Sequence, residues 1–240
     1  MKKALVVGGS NGIGLSVAFE LKDYDQVCII DKVVPDCRLP ANVCFEQFDL
    51  TAADYSIFDH YQDASLLLIT AGFGRLALFS DVPEQYIVDS FQVNSIAAIR
   101  IVHHFYRRLL GRDDFRCGII CSIAGFMSSP FLAVYGATKA ALKIFIESVN
   151  VELEKAGTSN RILNVSPGSI KGTSFSNAPT HLDEVTPLAN EILQHLESGD
   201  DLFIPKYEEV FREVLRRYHE DFRKAFTPSN YLKFKYNFKF

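Results

Sequence analysis

Short apolar runs alternate with stretches of helical periodicity along this chain. Residues 4–7 form the first run, which ends in glycines and is followed by Val17, Ala18 and Leu21 at helical spacing. Runs of the same kind recur at 27–30, 43–48, 65–70, 118–121, 161–165 and 202–204, each bounded by turn residues. Between them, Tyr86, Ile87, Phe91, Ile96, Ile99, Val102 and Phe105 predict one long helix over 83–110. A second long helix runs through Tyr135 and Lys139 to about residue 154. Thr186-Pro187 reads as a cap followed by proline at the first helical position, starting a helix to about 196. Strands alternating with helices predict an α/β fold, a parallel sheet of about seven strands covered by helices on both faces.

The end of the chain breaks that alternation. Tyr207, Val210, Phe211, Val214, Leu215, Tyr218, Phe222 and Phe226 make a helical stripe, and then Leu232, Phe234, Tyr236, Phe238 and Phe240 alternate with Lys233, Lys235, Asn237 and Lys239 in a strand period. Residues 1–205 therefore read as one domain. Residues 206–240 read as an extension, a helix and a short strand-like segment, packed on that domain or on a partner subunit. The extension carries nine Lys/Arg against five Asp/Glu, a net of +4, which leaves −8 on the other 205 residues. Docking on the acidic body or on another subunit is the reading preferred over attachment to an anionic membrane.

Composition narrows the class. A length of 240 residues with 48% hydrophobic content suits a single large domain. The overall charge of −4 gives no reason to expect nucleic acid. No run approaches the roughly 20 apolar residues that span a bilayer, and the opening MKKALVVGG lacks the apolar core and cleavage site of a signal peptide; a soluble cytoplasmic protein is expected. Five cysteines (28, 37, 44, 117 and 121) include no Cys-x-x-Cys pair, and no histidines stand at ligand spacing, so reduced thiols and no metal are expected.

The chemistry concentrates between Ser122 and Lys139. Ser122 follows an apolar run at a predicted strand tip, and Tyr135 and Lys139 lie four apart on the next helix, so phenol and ammonium can point into one cleft. Bringing a phenol from pH 10 to about 7 takes roughly 4 kcal/mol. One ammonium about 4 Å away, at an effective dielectric near 20, supplies on the order of 4 kcal/mol before desolvation. An oxidised nicotinamide ring would be a second positive charge. The chain has a place for such a cofactor: Gly8, Ser10, Asn11, Gly12, Ile13 and Gly14 form a glycine-rich turn between a strand and a helix N-terminus, a ready site for a pyrophosphate. Asp31, at the tip of the second strand, can accept hydrogen bonds from both adenosine ribose hydroxyls and repels a 2′-phosphate, which favours NAD over NADP. Asp49 with Leu50 falls near the adenine, and Ala71 with Gly72 near the adjoining ribose, because in such sheets ligands lie beyond the carboxyl ends of the strands. Asn94 stands mid-helix, where asparagine needs exposure or a role.

In order and spacing, the glycine turn, Asp49, Asn94, Ser122, Tyr135-x-x-x-Lys139 and Pro167-Gly168 resemble the short-chain dehydrogenase/reductase family of the compact, single-domain type, over roughly residues 3–205. The resemblance implies a Rossmann-like doubly wound sheet. It implies that Tyr135 exchanges a proton with the substrate oxygen while a hydride moves to or from the nicotinamide, and that Lys139 lowers the phenol pKa and bonds the nicotinamide ribose. Ser122 positions the reacting oxygen, Asn94 holds a water of a proton relay, and Ile170 and Thr173 lie beside the carboxamide. Homodimers or homotetramers through the helices near 84–110 and 135–155 are implied too. Val7 and Thr70 depart from the family's usual threonine and asparagine, and Thr173 comes one residue late after Pro167-Gly168.

An oxidoreductase acting on a secondary alcohol or ketone is the leading reading. An NADP-linked carbonyl reductase and a non-catalytic NAD-binding scaffold stand beside it. Phe73, Phe126, Met127, Pro130, Phe131 and Phe175 are candidate substrate walls, and 174–185 is a candidate lid.

Overall fold

The computed structural model describes residues 1–171, 173 and 181–223. Seven strands, β1 (Lys3–Val7), β2 (Gln26–Asp31), β3 (Val43–Gln47), β4 (Leu66–Ile69), β5 (Arg116–Ile120), β6 (Ile162–Val165) and β7 (Leu202–Phe203), form one sheet. All neighbours are parallel, in the order β3-β2-β1-β4-β5-β6-β7, so the fold is Rossmann-like.

The strands read as continuous apolar runs because both faces are covered. Leu5 and Val7 point into a layer completed by Ile101 and Phe105 of α3 (Ala97–Leu110) and by Leu142 and Ile146 of α4 (Ala133–Lys155). Ala4 and Val6 point the other way, against Leu15 and Val17 of α1 (Gly12–Glu20) and Ile192 and Leu196 of α5 (Leu182–Ser198). From β1 the sheet grows outward to β2 and β3 on one side and to β4 through β7 on the other. The crevice beyond the carboxyl ends of β1 and β4, where Val7 pairs with Ile69, is therefore the switch point at which such sheets receive ligands.

Three helical expectations change. The helix predicted over 83–110 is interrupted: α2 (Glu84–Phe91) passes into a π turn (Gln92–Ile96) and then into α3. The apolar stripe survives this extra residue, so periodicity alone does not reveal it. The fifth helix begins at Leu182 rather than at Pro187, which lies inside it. Asp183 and Glu184 in its first turn favour the positive end of the helix dipole, and the Thr186 hydroxyl, expected to cap, stands 3.2 Å from Ser16 Oγ of α1. At the end of the chain a π turn (Tyr207–Phe211) leads into α6 (Arg212–Glu220). Among the described residues of its apolar stripe only Leu215 is buried, while Tyr207, Val210 and Phe222 are exposed. Residues 224–240, Phe175 and residues 174–180 of the expected lid lie outside the described residues; 182–185 belong to α5.

Candidate active site

The glycine turn is shaped by close backbone approach. Gly8 has φ +85°, and a Cβ there would lie 2.4 Å from the Ala71 nitrogen. At Gly14 a Cβ would lie 2.5 Å from Thr70 Oγ1 and 2.6 Å from the Gly8 carbonyl oxygen. Both contacts are too close for any side chain, so the turn after β1 and the chain leaving β4 are pressed together at the switch point. Thr70 ties them, its hydroxyl donating to the carbonyls of Gly8 (2.7 Å) and Val7 (3.1 Å). Asn11 takes the extended N-cap position of α1, and Ile13 packs on the core beneath. Gly12 faces Thr173, whose Cβ would be 3.6 Å from a Cβ built at Gly12. The turns after β1 and β6, far apart in sequence, thus border one crevice.

Asp31 closes the far side. Its carboxylate accepts from the Ser10 amide (3.0 Å) and the Val33 amide (3.3 Å), and the Ser10 hydroxyl donates to the Val33 carbonyl. Asp49 accepts from the Thr51 amide (2.9 Å) and hydroxyl (2.8 Å) and pairs with Lys32 at 2.9 Å. Those bonds, the Thr51 amide first, hold its carboxyl below the usual range. Leu50 is buried beside it, its carbonyl accepting from the Tyr55 hydroxyl at 2.6 Å.

Ser122, Tyr135, Lys139, Asn94 and Gly72 come together at the ends of β4 and β5. Ser122 sits in extended backbone before a short 3-10 turn; its Oγ accepts from the Ala124 amide (3.1 Å) and donates to the Pro167 carbonyl (3.5 Å), and its hydroxyl is near enough to the Tyr135 phenol to favour the ionised form. Lys139 is 3% exposed, and its Nζ donates to the Ile120 carbonyl at 2.8 Å. A Cβ on Gly72 would lie 3.3 Å from both Lys139 Nζ and Asn94 Oδ1, so the chain after β4 passes close beside both side chains. The Asn94 carboxamide holds the backbone of one residue on both sides, accepting from the Phe73 amide (2.9 Å) and donating to the Phe73 carbonyl (2.8 Å). This use of its side chain explains an asparagine inside a helical stretch, and the π turn puts it in reach; such turns recur at functional sites.

The electrostatics depart from the sequence expectation. Burial pushes the Tyr135 phenol up to about 12, against the lowering effect of the Ser122 hydroxyl. Burial likewise lowers the Lys139 ammonium below its ordinary value. The ammonium that was expected to acidify the phenol is directed at the Ile120 carbonyl, and its Nζ stands 5.8 Å from the centre of the Tyr135 ring. Desolvation is the largest cause at both groups.

The short chain dehydrogenase family model matches residues 2–182. The chain belongs to that family. Among relatives, the uncharacterized oxidoreductase YvaG of Bacillus subtilis is 26% identical over 210 residues, covering 82% of this chain and 78% of that protein. YbbO of Escherichia coli, an uncharacterized oxidoreductase, is 24% identical over 226 residues, 88% of this chain and 81% of that one. A short chain dehydrogenase from Burkholderia cenocepacia, solved in complex with NADP, has the same fold with a TM-score of 0.79 at 20% identity, over 95% of this chain and 100% of that one. The bulky-bulky ketone specific alcohol dehydrogenase from Comamonas testosteroni has a TM-score of 0.73 at 20% identity, over 95% of this chain and 96% of that one.

Within this short-chain dehydrogenase fold, the expected residues divide by position. Gly8, Gly12, Gly14, Ala71, Gly72, Asn94, Tyr135, Lys139, Pro167 and Thr173 border the crevice or the cluster at its end. Ile170 packs on the core, its carbonyl accepting from the Thr173 hydroxyl at 2.9 Å. Phe126, Met127 and Pro130 instead line a groove of about 730 Å³ with Gly136, Ala137 and Ala140 of α4 and Tyr218 and Phe222 at the chain's end. Tyr135 is not on that groove, because neighbours on a helix point about 100° apart. Phe131 is buried in a left-handed conformation (φ +67°), and Phe73 packs edge-on against Tyr86. Sequence reasoning missed Phe211, whose ring packs on Gly168: a Cβ there would lie 2.8 Å from Phe211 Cζ. It was visible only as one member of the terminal stripe. Among the described residues, no cluster of three or more His, Cys, Asp or Glu could hold a metal, and no helix is long and apolar enough to cross a membrane.

Proposed function

We propose that this chain moves a hydride between NAD and a secondary alcohol or ketone, with residues 1–205 as the catalytic unit and Ser122, Tyr135 and Lys139 as its proton-transfer site. The observation that carries the reading is the convergence of Ser122, Tyr135 and a buried Lys139 at the carboxyl end of β5 in a short-chain dehydrogenase. The crevice suits the cofactor. Gly8, Gly12 and Gly14 leave backbone where a pyrophosphate approaches the N-terminus of α1, with Ser10, Asn11 and Ile13 alongside. Asp31 takes the adenosine ribose, Asp49 and Leu50 the adenine, Ala71 and Gly72 the next sugar, and Pro167, Gly168, Ile170 and Thr173 the nicotinamide end. The cofactor, when bound, supplies or accepts the hydride.

With its pKa raised, Tyr135 is a neutral phenol near pH 7 and therefore a proton donor. It delivers that proton to the substrate oxygen, and Ser122 orients the same oxygen. Lys139 bonds the nicotinamide ribose. Asn94 fixes the Phe73 backbone and with it the wall beside Gly72.

NAD is the proposed partner because of Asp31, although the neighbouring proteins from Burkholderia cenocepacia, Thermococcus sibiricus and Sphingobium yanoikuyae were solved with NADP, 5-hydroxy-NADP and NADPH. Lys32, the cation best placed to welcome a 2′-phosphate, is already paired with Asp49. In titrations, NAD should bind at least about tenfold more tightly than NADP, and Asp31→Ser should bring the two to near parity, a change of roughly 1.4 kcal/mol. The same preparation, given secondary alcohols with NAD, should show reduction of the nicotinamide in its absorbance. Tighter NADP binding would overturn the cofactor assignment; binding without turnover on any secondary alcohol or ketone would overturn the reaction.

The proposed assembly is a homodimer or homotetramer. Ile96 at the end of the π turn with His103 and Leu110 of α3, and Ile144 and Val151 of α4, are exposed at seven-residue spacing. Apolar stripes of this kind on packed neighbouring helices suit burial against a second copy. Light scattering should give at least a dimer for the native chain and a monomer for Ile144→Glu combined with Val151→Glu. A native monomer would exclude the assembly.

A further inference from the structure

We propose that Cys28 and Cys44 form a reversible redox pair, a site of oxidation by hydroperoxides on the edge of the sheet opposite the proton-transfer cluster. Cys28 and Cys44 are direct register partners on the parallel strands β2 and β3. Register partners in a sheet have side chains on the same face and backbones about 4.8 Å apart, within the roughly 4.4–6.8 Å that a disulfide spans between Cα atoms. Cys28 is buried and Cys44 exposed. One thiol can thus meet a solvent oxidant while the other waits behind it. A bond between adjacent strands is strained and therefore readily reduced again.

The surroundings of Cys28 supply a proton route. Its Sγ lies 3.1 Å from the Tyr61 hydroxyl, and Tyr61 in turn donates to the Glu46 carboxylate. Gln26 Nε2 stands 3.7 Å from Cys44 Sγ, a donor toward the exposed sulfur. None of these groups belongs to the proposed hydride-transfer site. Burial pushes the Cys28 thiol up to about 12, so it loses its proton only with help, and the Tyr61–Glu46 chain is that help.

The steps balance as follows. The Cys44 sulfur attacks a hydroperoxide as its proton passes to solvent; a sulfur–oxygen bond forms, the oxygen–oxygen bond breaks, the departing oxygen takes a proton from solvent and leaves as alcohol or water, and the sulfur becomes a sulfenic acid, oxidised by two electrons. The Cys28 sulfur then attacks the Cys44 sulfur. Its proton passes to the Tyr61 oxygen as Tyr61 hands its own to Glu46. The sulfur–sulfur bond forms, the sulfur–oxygen bond breaks, and the departing hydroxide takes a proton from solvent to leave as water. A dithiol reductant reverses the result.

The full chain treated with hydrogen peroxide and digested without reduction should give one linked peptide joining Cys28 to Cys44, lighter by two hydrogens than the sum of its parts. Cys44→Ser should abolish the link and Cys37→Ser should leave it unchanged; both positions are exposed, so both variants should fold. Tyr61→Phe should slow closure several-fold and let a dimedone probe trap the Cys44 sulfenic acid, while the final link is unchanged. Linkage through Cys37, or oxidation of Cys44 to a sulfinic acid in the native chain with no bond to Cys28, would overturn the proposal.

Discussion

Tyr135→Phe should retain cofactor binding and lose turnover by roughly a hundred- to ten-thousand-fold, the range over which a positioned proton donor contributes. The ring stays and only the hydroxyl goes. Ser122 keeps its bonds with the Ala124 amide and the Pro167 carbonyl, so stability should fall by only about 1 kcal/mol. The pH dependence follows from the same group. A pKa raised to about 12 means that the protonated form persists above the range of an ordinary tyrosine. The reductive rate, started with reduced cofactor and a ketone, should therefore stay level as pH rises through 10, where a free phenol titrates, and fall only toward 12. Near-native turnover in the phenylalanine variant, or a reductive rate that falls around pH 10, would remove Tyr135 from the proposed role.

Lys139→Met has the second largest expected effect, and in the opposite balance between fold and function. The ammonium is fully enclosed and held out of water, a state whose desolvation cost can exceed its electrostatic gain. An apolar side chain of similar length removes that cost and leaves one carbonyl, of Ile120, without its donor. The two changes oppose each other, so denaturant unfolding should show a shift within about 2 kcal/mol. Turnover, by contrast, should fall at least about a hundredfold with a weaker hold on the cofactor, since a group that positions the reacting partners has no substitute. If the methionine variant unfolds while the native chain stands, or turns over normally, Lys139 is structural rather than functional.

The sheet was legible because a doubly covered parallel sheet writes each strand as an unbroken apolar run, and residues 4–7 and 27–30 do so plainly. The glycine turn was legible because Gly8 and Gly14 sit where no Cβ fits. The π turn around Asn94 was not, since one extra residue in a helix leaves the apolar spacing nearly intact. The misplaced start of α5 came from a local rule, proline at the first helical position, overridden by acidic residues farther upstream and by the contact of Thr186 with Ser16. The strength of the Tyr135–Lys139 coupling could not be read from spacing: two groups four apart on a helix share a face, and what decides their pKa values is how deeply the rest of the chain buries them.

Phe211 lies beyond the segment that the family model matches, yet its ring rests on Gly168, in the turn whose Pro167 carbonyl accepts from Ser122. The proposed proton-transfer groups and the surface beside them are thus written in separate stretches of sequence. A lineage could rework the stretch after Pro205, altering what is admitted at that turn, and leave Ser122, Tyr135 and Lys139 as they are.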